Sequence, residues 1–308
     1  FSLHRYPSTD HAGLRQAIGE VLGLDPDNII CGAGSDEIIA FLCQAYAGPG
    51  REVIHTEHGF GMYKINALAA GATPVEVKER ERVTDVDNIL AACGPKTALV
   101  FIANPNNPTG TMIAPGEVAR LAEALPPQAL LVLDGAYAEY VDGYDGGAAL
   151  VEARENVIMT RTFSKIHGLA ALRLGWAYGP ESVIDALHRT RGPFNVSAVS
   201  QAAGIAAIND DAFQAKSADH NDAELLRVEQ AVEKAGFKTF PSVGNFVLIE
   251  FPEEKGRSSV EADAFLRSQG IVIRDVNVYG LPTCLRASIG TVEQNDDLIA
   301  AIEAFSKS

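Results

Sequence analysis

The chain reads as an α/β protein, a mostly parallel sheet with helices on both faces followed by a smaller α+β domain. Three observations predict this. Strand-length apolar runs alternate with helical patterns through the first two thirds, a rhythm that builds parallel sheets. After Gly192-Pro193-Phe194-Asn195 the texture changes to long helices with apolar residues at helical spacing. The length of 308 residues exceeds the usual size of one domain, so two are expected. Residues 9–205 are read as the large domain and 206–308 as the small one.

The strands of the first domain are expected at Ile29 onward, Val53 to Thr56, Pro74 to Val77, Ala98 to Ala103, Ala129 to Leu133, Val157 to Thr160 and Leu174 to Tyr178. Helices follow at Glu37 to Ala47, Ser197 to Asn209 and roughly Ala212 to Ala235. The second sheet is drawn from Asn245 to Phe251, Ile271 to Arg274 and Cys284 to Ser288. Helices Val260 to Gln269 and Val292 to Phe305 would pack on it.

Bulk properties exclude several classes. A net charge of -15 and a pI near 4.9 argue against nucleic acid or an anionic membrane as partner, though a local arginine cluster still admits small anions. No apolar run is long enough to span a bilayer, and no signal peptide is visible. Cys31, Cys43, Cys93 and Cys284 lack C-x-x-C spacing and sit in apolar runs, as buried free thiols of a reducing cytoplasm would. His55-Thr56-Glu57-His58 lacks the spacing of a helical zinc motif, so no metal is expected.

Four segments carry chemistry. Thr162-Phe163-Ser164-Lys165, with Arg173 shortly after, sets an amine beside hydroxyls and a guanidinium, which suits a phosphorylated aldehyde; a solvated lysine after a strand is the bland alternative. Ile29 to Glu37 runs from a strand through Gly32-Ala33-Gly34 into a helix whose unpaired first-turn N–H groups can hold an anion, capped by Ser35 or Asp36. It fails as a dinucleotide fingerprint, because Glu37 stands where the third glycine belongs. Asn104-Pro105-Asn106-Asn107-Pro108-Thr109-Gly110 makes a rigid turn at the carboxyl end of a strand, where such sheets bind ligands. Finally, Asp134 ends an apolar strand with Tyr137 beyond it. A protonated pyridine nitrogen would suit that acid, as would a helix cap or a salt bridge.

In this order and spacing the four segments resemble the pyridoxal-phosphate-dependent aminotransferases of fold type I, class I/II, above all the histidinol-phosphate aminotransferase family. The likeness runs from Leu3-His4-Arg5-Tyr6-Pro7 to Leu285-Arg286-Ala287-Ser288-Ile289-Gly290. It implies an aspartate-aminotransferase-like large domain and pyridoxal 5'-phosphate as cofactor. Lys165 would condense with the cofactor aldehyde, Asp134 pair with the ring nitrogen, and Asn107 and Tyr137 bond the ring hydroxyl. Ser35, Asp36, Ser164 and Arg173 would hold the phosphate, and Phe60 would stack on the ring. Tyr6 would reach the phosphate of a neighbouring subunit, so a homodimer with shared active sites is implied.

Residues 1–8 would be the remnant of an N-terminal arm, because relatives normally carry more chain before Leu3. Arg286 would receive a carboxylate and Arg274 a phosphate. Both are expected in apolar strands, where an unpaired guanidinium is costly; pairing with Asp275 or Asp263 is the alternative for Arg274. The implied reaction exchanges an amino group between histidinol phosphate and 2-oxoglutarate in the cytoplasm. An aromatic amino-acid aminotransferase, or a decarboxylase or lyase using the same cofactor, remains an alternative.

Overall fold

The computed structural model describes residues 4–307. Leu3, where the family likeness begins, lies outside them. The chain opens with helix α1 (Ala12–Leu22), strand β1 (Ile29–Gly32) and helix α2 (Ser35–Tyr46). Strands and helices then alternate as β2 (Glu52–Thr56), α3 (Met62–Ala69), β3 (Thr73–Val77), α4 (Val86–Ala92), β4 (Thr97–Ala103), α5 (Pro115–Ala124), β5 (Leu130–Asp134), α6 (Ala148–Glu152) and β6 (Val157–Thr162). Next come β7 (Gly175–Tyr178), α7 (Glu181–Thr190), α8 (Ala198–Ile208) and the long α9 (Asp211–Lys234).

These strands form a seven-stranded sheet in the order β1-β7-β6-β5-β4-β2-β3. Only β7 runs against its neighbours. Both faces are covered, so β4 sends Val100 and Ile102 into one apolar core and Leu99 and Phe101 into the other. A strand that serves two cores has to be apolar at every position, which is why β4 and β5 read as uninterrupted runs.

The rest of the chain is β8 (Lys238–Phe240), β9 (Phe246–Glu250), α10 (Ser259–Ser268), β10 (Arg274–Asp275), β11 (Cys284–Ser288) and α11 (Val292–Phe305). Its antiparallel sheet has the order β10-β11-β9-β8. Val228, Val247, Ile249, Leu285, Leu298 and Ile302 join α9 and α11 to that sheet in a separate core.

The expected division at residue 205 falls within α8, whose Ile205, Ala207 and Ile208 pack with the core of the large sheet. One strand differs from expectation. The apolar run Ile271 to Ile273 stays out of the ladder, which takes Arg274 and Asp275 instead, and both are exposed. Apolarity there reports packing of Ile271 and Ile273 against the small core, not strand pairing.

Among the described residues no helix is long and apolar enough to cross a membrane. No group of three or more His, Cys, Asp or Glu side chains among them is placed to hold a metal ion. All four cysteines are free, with Cys93 only half-buried. Burial pushes the Cys31 thiol up to about 12, so it stays protonated.

Candidate active site

A cavity of about 190 Å³ opens at the carboxyl ends of the parallel strands, the edge where open α/β sheets take their ligands. Ser35, Asp36, Phe60, Asn107, Asp134, Tyr137, Ser164, Lys165 and Arg173 all line it. Residues spread from 35 to 173 in the sequence thus share one small space.

Asp134 closes β5 at the floor and is 4% exposed. Burial pushes its carboxyl pKa up, against three bonds that pull it down. The Tyr63 hydroxyl donates to Oδ2 at 2.7 Å, while Thr160 Oγ1 and the Ala136 N–H each donate to Oδ1 at 3.2 Å. A carboxylate has about four acceptor sites, so one oxygen retains capacity for a donor inside the cavity. Tyr63 is fully buried, stacked on Phe101 at 4.7 Å and edge-on to Phe60 at 5.8 Å. Its burial and the adjacent acid raise its phenol pKa far above the usual range, so it stays a donor.

The turn after β4 divides its asparagines between building and display. Asn104 exchanges bonds with Ile113 in both directions, at 3.1 and 2.9 Å, and Asn106 donates to Thr109 Oγ1 at 2.9 Å. Asn107 is left facing the cavity, where its Oδ1 accepts from Arg286 Nη1 of β11. Its amide nitrogen remains available as a donor.

On the opposite wall, Lys165 Nζ lies 5.2 Å from the centre of the Tyr137 ring, which packs edge-on against Phe246 of the small sheet. Arg173 Nη1 donates to Ser164 Oγ at 3.4 Å, and Nη2 lies 3.3 Å from Asp36 Oδ2. The backbone of Arg173 is held at φ 48, a region costly for a residue with a Cβ. Across from it Gly34 has φ 84, and a Cβ there would stand 2.5 Å from Arg173 Nη2. Glycine therefore lets the guanidinium reach across the strand-to-helix turn. Gly175, at the start of β7, is as tightly placed, since its Cβ would come within 2.4 Å of the Ser35 nitrogen.

Neither Ser35 nor Asp36 caps α2, contrary to expectation: Gly34 holds the cap position and no side chain bonds the cap. Three predicted residues, Tyr6, Arg274 and Arg286, also lie outside this lining. Tyr6 is 80% exposed and stacks on Phe194 at 4.3 Å, outside this cavity. Arg274 lines a separate groove of about 750 Å³, together with Arg286. Its surroundings are not the apolar strand expected, and it makes no ion pair with Asp275 or Asp263; Asp263 is taken by Arg267 at 2.7 Å. Tyr63 and Thr160 were not singled out by sequence. The only available signal was a phenol one helical turn after Phe60.

Residues 2–302 match the sequence pattern of the family described as aminotransferase class I and II. The chain belongs to that family. This aminotransferase is 61% identical over 305 residues to a histidinol-phosphate aminotransferase of Dinoroseobacter shibae, covering 98% of this chain and 83% of the relative. Its fold matches a crystal structure of histidinol-phosphate aminotransferase from Sinorhizobium meliloti in complex with pyridoxal-5'-phosphate. The TM-score is 0.92 at 29% identity, over 99% of this chain and 83% of that one. An aspartate aminotransferase from Thermus thermophilus, solved with maleate, shares the fold at TM-score 0.84 and 23% identity, over 98% of this chain and 83% of that one. The aspartate-aminotransferase-like architecture expected from sequence is the one observed.

The aminotransferase cavity fits a phosphorylated pyridine aldehyde on its own terms. A buried acid with an acceptor to spare suits a ring N–H, the more so because its raised pKa calls for a cationic partner. An amine and a hydroxyl-arginine pair at the other wall suit an aldehyde and a phosphate.

Proposed function

We propose that the chain transfers an amino group between L-histidinol phosphate and 2-oxoglutarate, with pyridoxal 5'-phosphate as cofactor. The observation that carries the substrate assignment is the register of the small sheet. Arg274 and Arg286 stand directly opposite each other in an antiparallel pair, so their side chains share one face. Like charges so placed repel, and an anionic substrate relieves the repulsion. Names of relatives at 54–61% identity support the same substrate.

When bound, the cofactor supplies an aldehyde on which amino groups are exchanged and a pyridinium that takes up the electron pair left when the substrate carbon loses its proton. Each wall of the cavity then has a task. Asp134 keeps the proton on the ring nitrogen. Asn107, through its free amide nitrogen, and Tyr137, through its hydroxyl, bond the ring hydroxyl, while Phe60 covers a ring face. Ser35, Ser164, Arg173 and the backbone N–H of Asp36 take the phosphate; the Asp36 carboxylate, paired with Arg173, helps to aim that guanidinium. Lys165, whose Nζ lies in the cavity beside the Tyr137 ring, would serve as the base that accepts the substrate's proton and holds it within the site. Arg286, tied to Asn107, reports to the same cavity from the small sheet.

Tyr6, exposed and outside the lining of its own cavity, is assigned to the cofactor phosphate of a second subunit in a cytoplasmic homodimer. The small domain, read from sequence as 206–308, is better begun after α8, whose Ile205, Ala207 and Ile208 pack with the core of the large sheet. A substrate panel of histidinol phosphate, phenylalanine, tyrosine and leucine, each with 2-oxoglutarate as acceptor, tests the assignment. Histidinol phosphate should give the highest kcat/KM. A higher value for phenylalanine or tyrosine would make this an aromatic aminotransferase, and product that forms without a keto acid would indicate decarboxylation or elimination.

A further inference from the structure

Glu37, the residue that spoils the dinucleotide fingerprint, lies behind the β1–α2 turn and does not line the cavity. Its Oε2 accepts the Ala33 N–H at 2.7 Å, so the side chain folds back over the turn it follows. The same oxygen accepts Asn195 Nδ2 at 2.7 Å, and that nitrogen also donates to the Cys31 carbonyl at 3.2 Å. Asn195 comes from the segment after α7, remote in sequence but beside the turn. Strand end, turn and helix start are therefore pinned to one another by two side chains.

We infer that Glu37 and Asn195 are positioning residues for the cofactor phosphate, fixing the Gly32–Ser35 turn so that the α2 N–H groups and Ser35 face the cavity before the ligand arrives. This rests on the proposed cofactor reading. The physical basis is preorganisation. A turn with glycine at 32 and 34 loses much conformational freedom when it orders, and a ligand that has to order it binds more weakly by that amount. The carboxylate also satisfies a backbone donor outside the helix, a task that a side-chain cap would perform elsewhere but that no cap performs here. Charge-assisted bonds to backbone N–H groups are the stronger kind.

The test compares ligands with and without the phosphate. Apoprotein of wild type, Glu37→Ala, Glu37→Gln and Asn195→Ala is titrated with pyridoxal phosphate and with pyridoxal, and inorganic phosphate is used to compete the former. Glu37→Ala should weaken pyridoxal phosphate binding about tenfold and weaken phosphate competition in parallel, with the pyridoxal Kd within about twofold of wild type. Glu37→Gln should restore most of the loss, because its amide oxygen accepts the same Ala33 proton. Asn195→Ala should show the same pattern at smaller size and serves if Glu37→Ala fails to fold. Equal weakening of both vitamers, or none, would overturn the inference. Wild-type protein that takes up neither vitamer would instead overturn the cofactor reading itself.

Discussion

The two sheets of this aminotransferase treat charge in opposite ways. At the rim of the seven-stranded sheet, Asp134 is buried and already held by Tyr63, Thr160 and the Ala136 N–H. On the four-stranded sheet, Arg274 and Arg286 face each other without a carboxylate partner between them. A group fixed on several sides suits a partner that stays in one orientation; an unneutralised pair suits one that comes and goes. Cofactor and substrate make those two demands.

The largest expected effect tests the fixed side. Lys165→Ala should reduce transamination by at least about 100-fold, the usual scale of general acid–base catalysis, with thermal unfolding unchanged. A variant that keeps a tenth of the wild-type rate would remove the lysine from its role. Asp134→Asn should lower kcat by about 100-fold, since an uncharged amide no longer holds the ring proton. It should also shift the pH dependence of the bound cofactor's visible absorption, and an unaltered spectrum would break the contrast between the sheets.

On the exchangeable side, Arg274→Ala should cut kcat/KM for histidinol phosphate by about tenfold and leave that for phenylalanine nearly unchanged, the scale of one charge-assisted bond at a partly exposed site. Equal losses for both substrates would mean that Arg274 has no phosphate to bind.

A further expected effect concerns stability, away from the cavity. His11 is fully buried and neither ring nitrogen has a partner, so it is the unpartnered counterpart of Asp134 within the large domain. Burial, and then Arg191, push its pKa down from 6.5 to about 4. The unfolded chain therefore binds the extra proton between those values, and stability that is complete above pH 6.5 is lost as pH falls toward 4 and then levels off. The loss is up to roughly 3 kcal/mol. His11→Asn, which tolerates the local φ of 53, should flatten that limb in urea titrations at pH 4.5 and 7.5. An unchanged slope would place the acid sensitivity with His55, His167 or His188, whose pKa values burial also lowers.

Residues that face the cavity from a strand end were legible in sequence. Lys165, Asp134 and Asn107 each follow an apolar run, so the ligand edge could be drawn before any side chain was placed. Their partners were not legible. Tyr63 meets Asp134 only because α3, packed against β2 and β3, sends that ring over Phe101 of β4 to the end of β5, and Asn195 meets Glu37 across 158 positions of sequence. Local pattern records which face a residue takes and is silent about what it meets there. Strand β8 went unseen for a related reason, since one exposed and two half-exposed edge residues carry no apolar alternation. Arg274 was misjudged because an apolar run beside it was taken for the ladder.

Gly175 ties these matters together. With hydrogen as its side chain, the first residue of β7 leaves no gap between the sheet's reversed strand and the peptide linking residues 34 and 35. Even one methyl there would act as a wedge driven under the seat of the cofactor. Laboratory evolution toward bulkier vitamers should find that position closed, and would have to remodel the pocket from the Phe60 side instead.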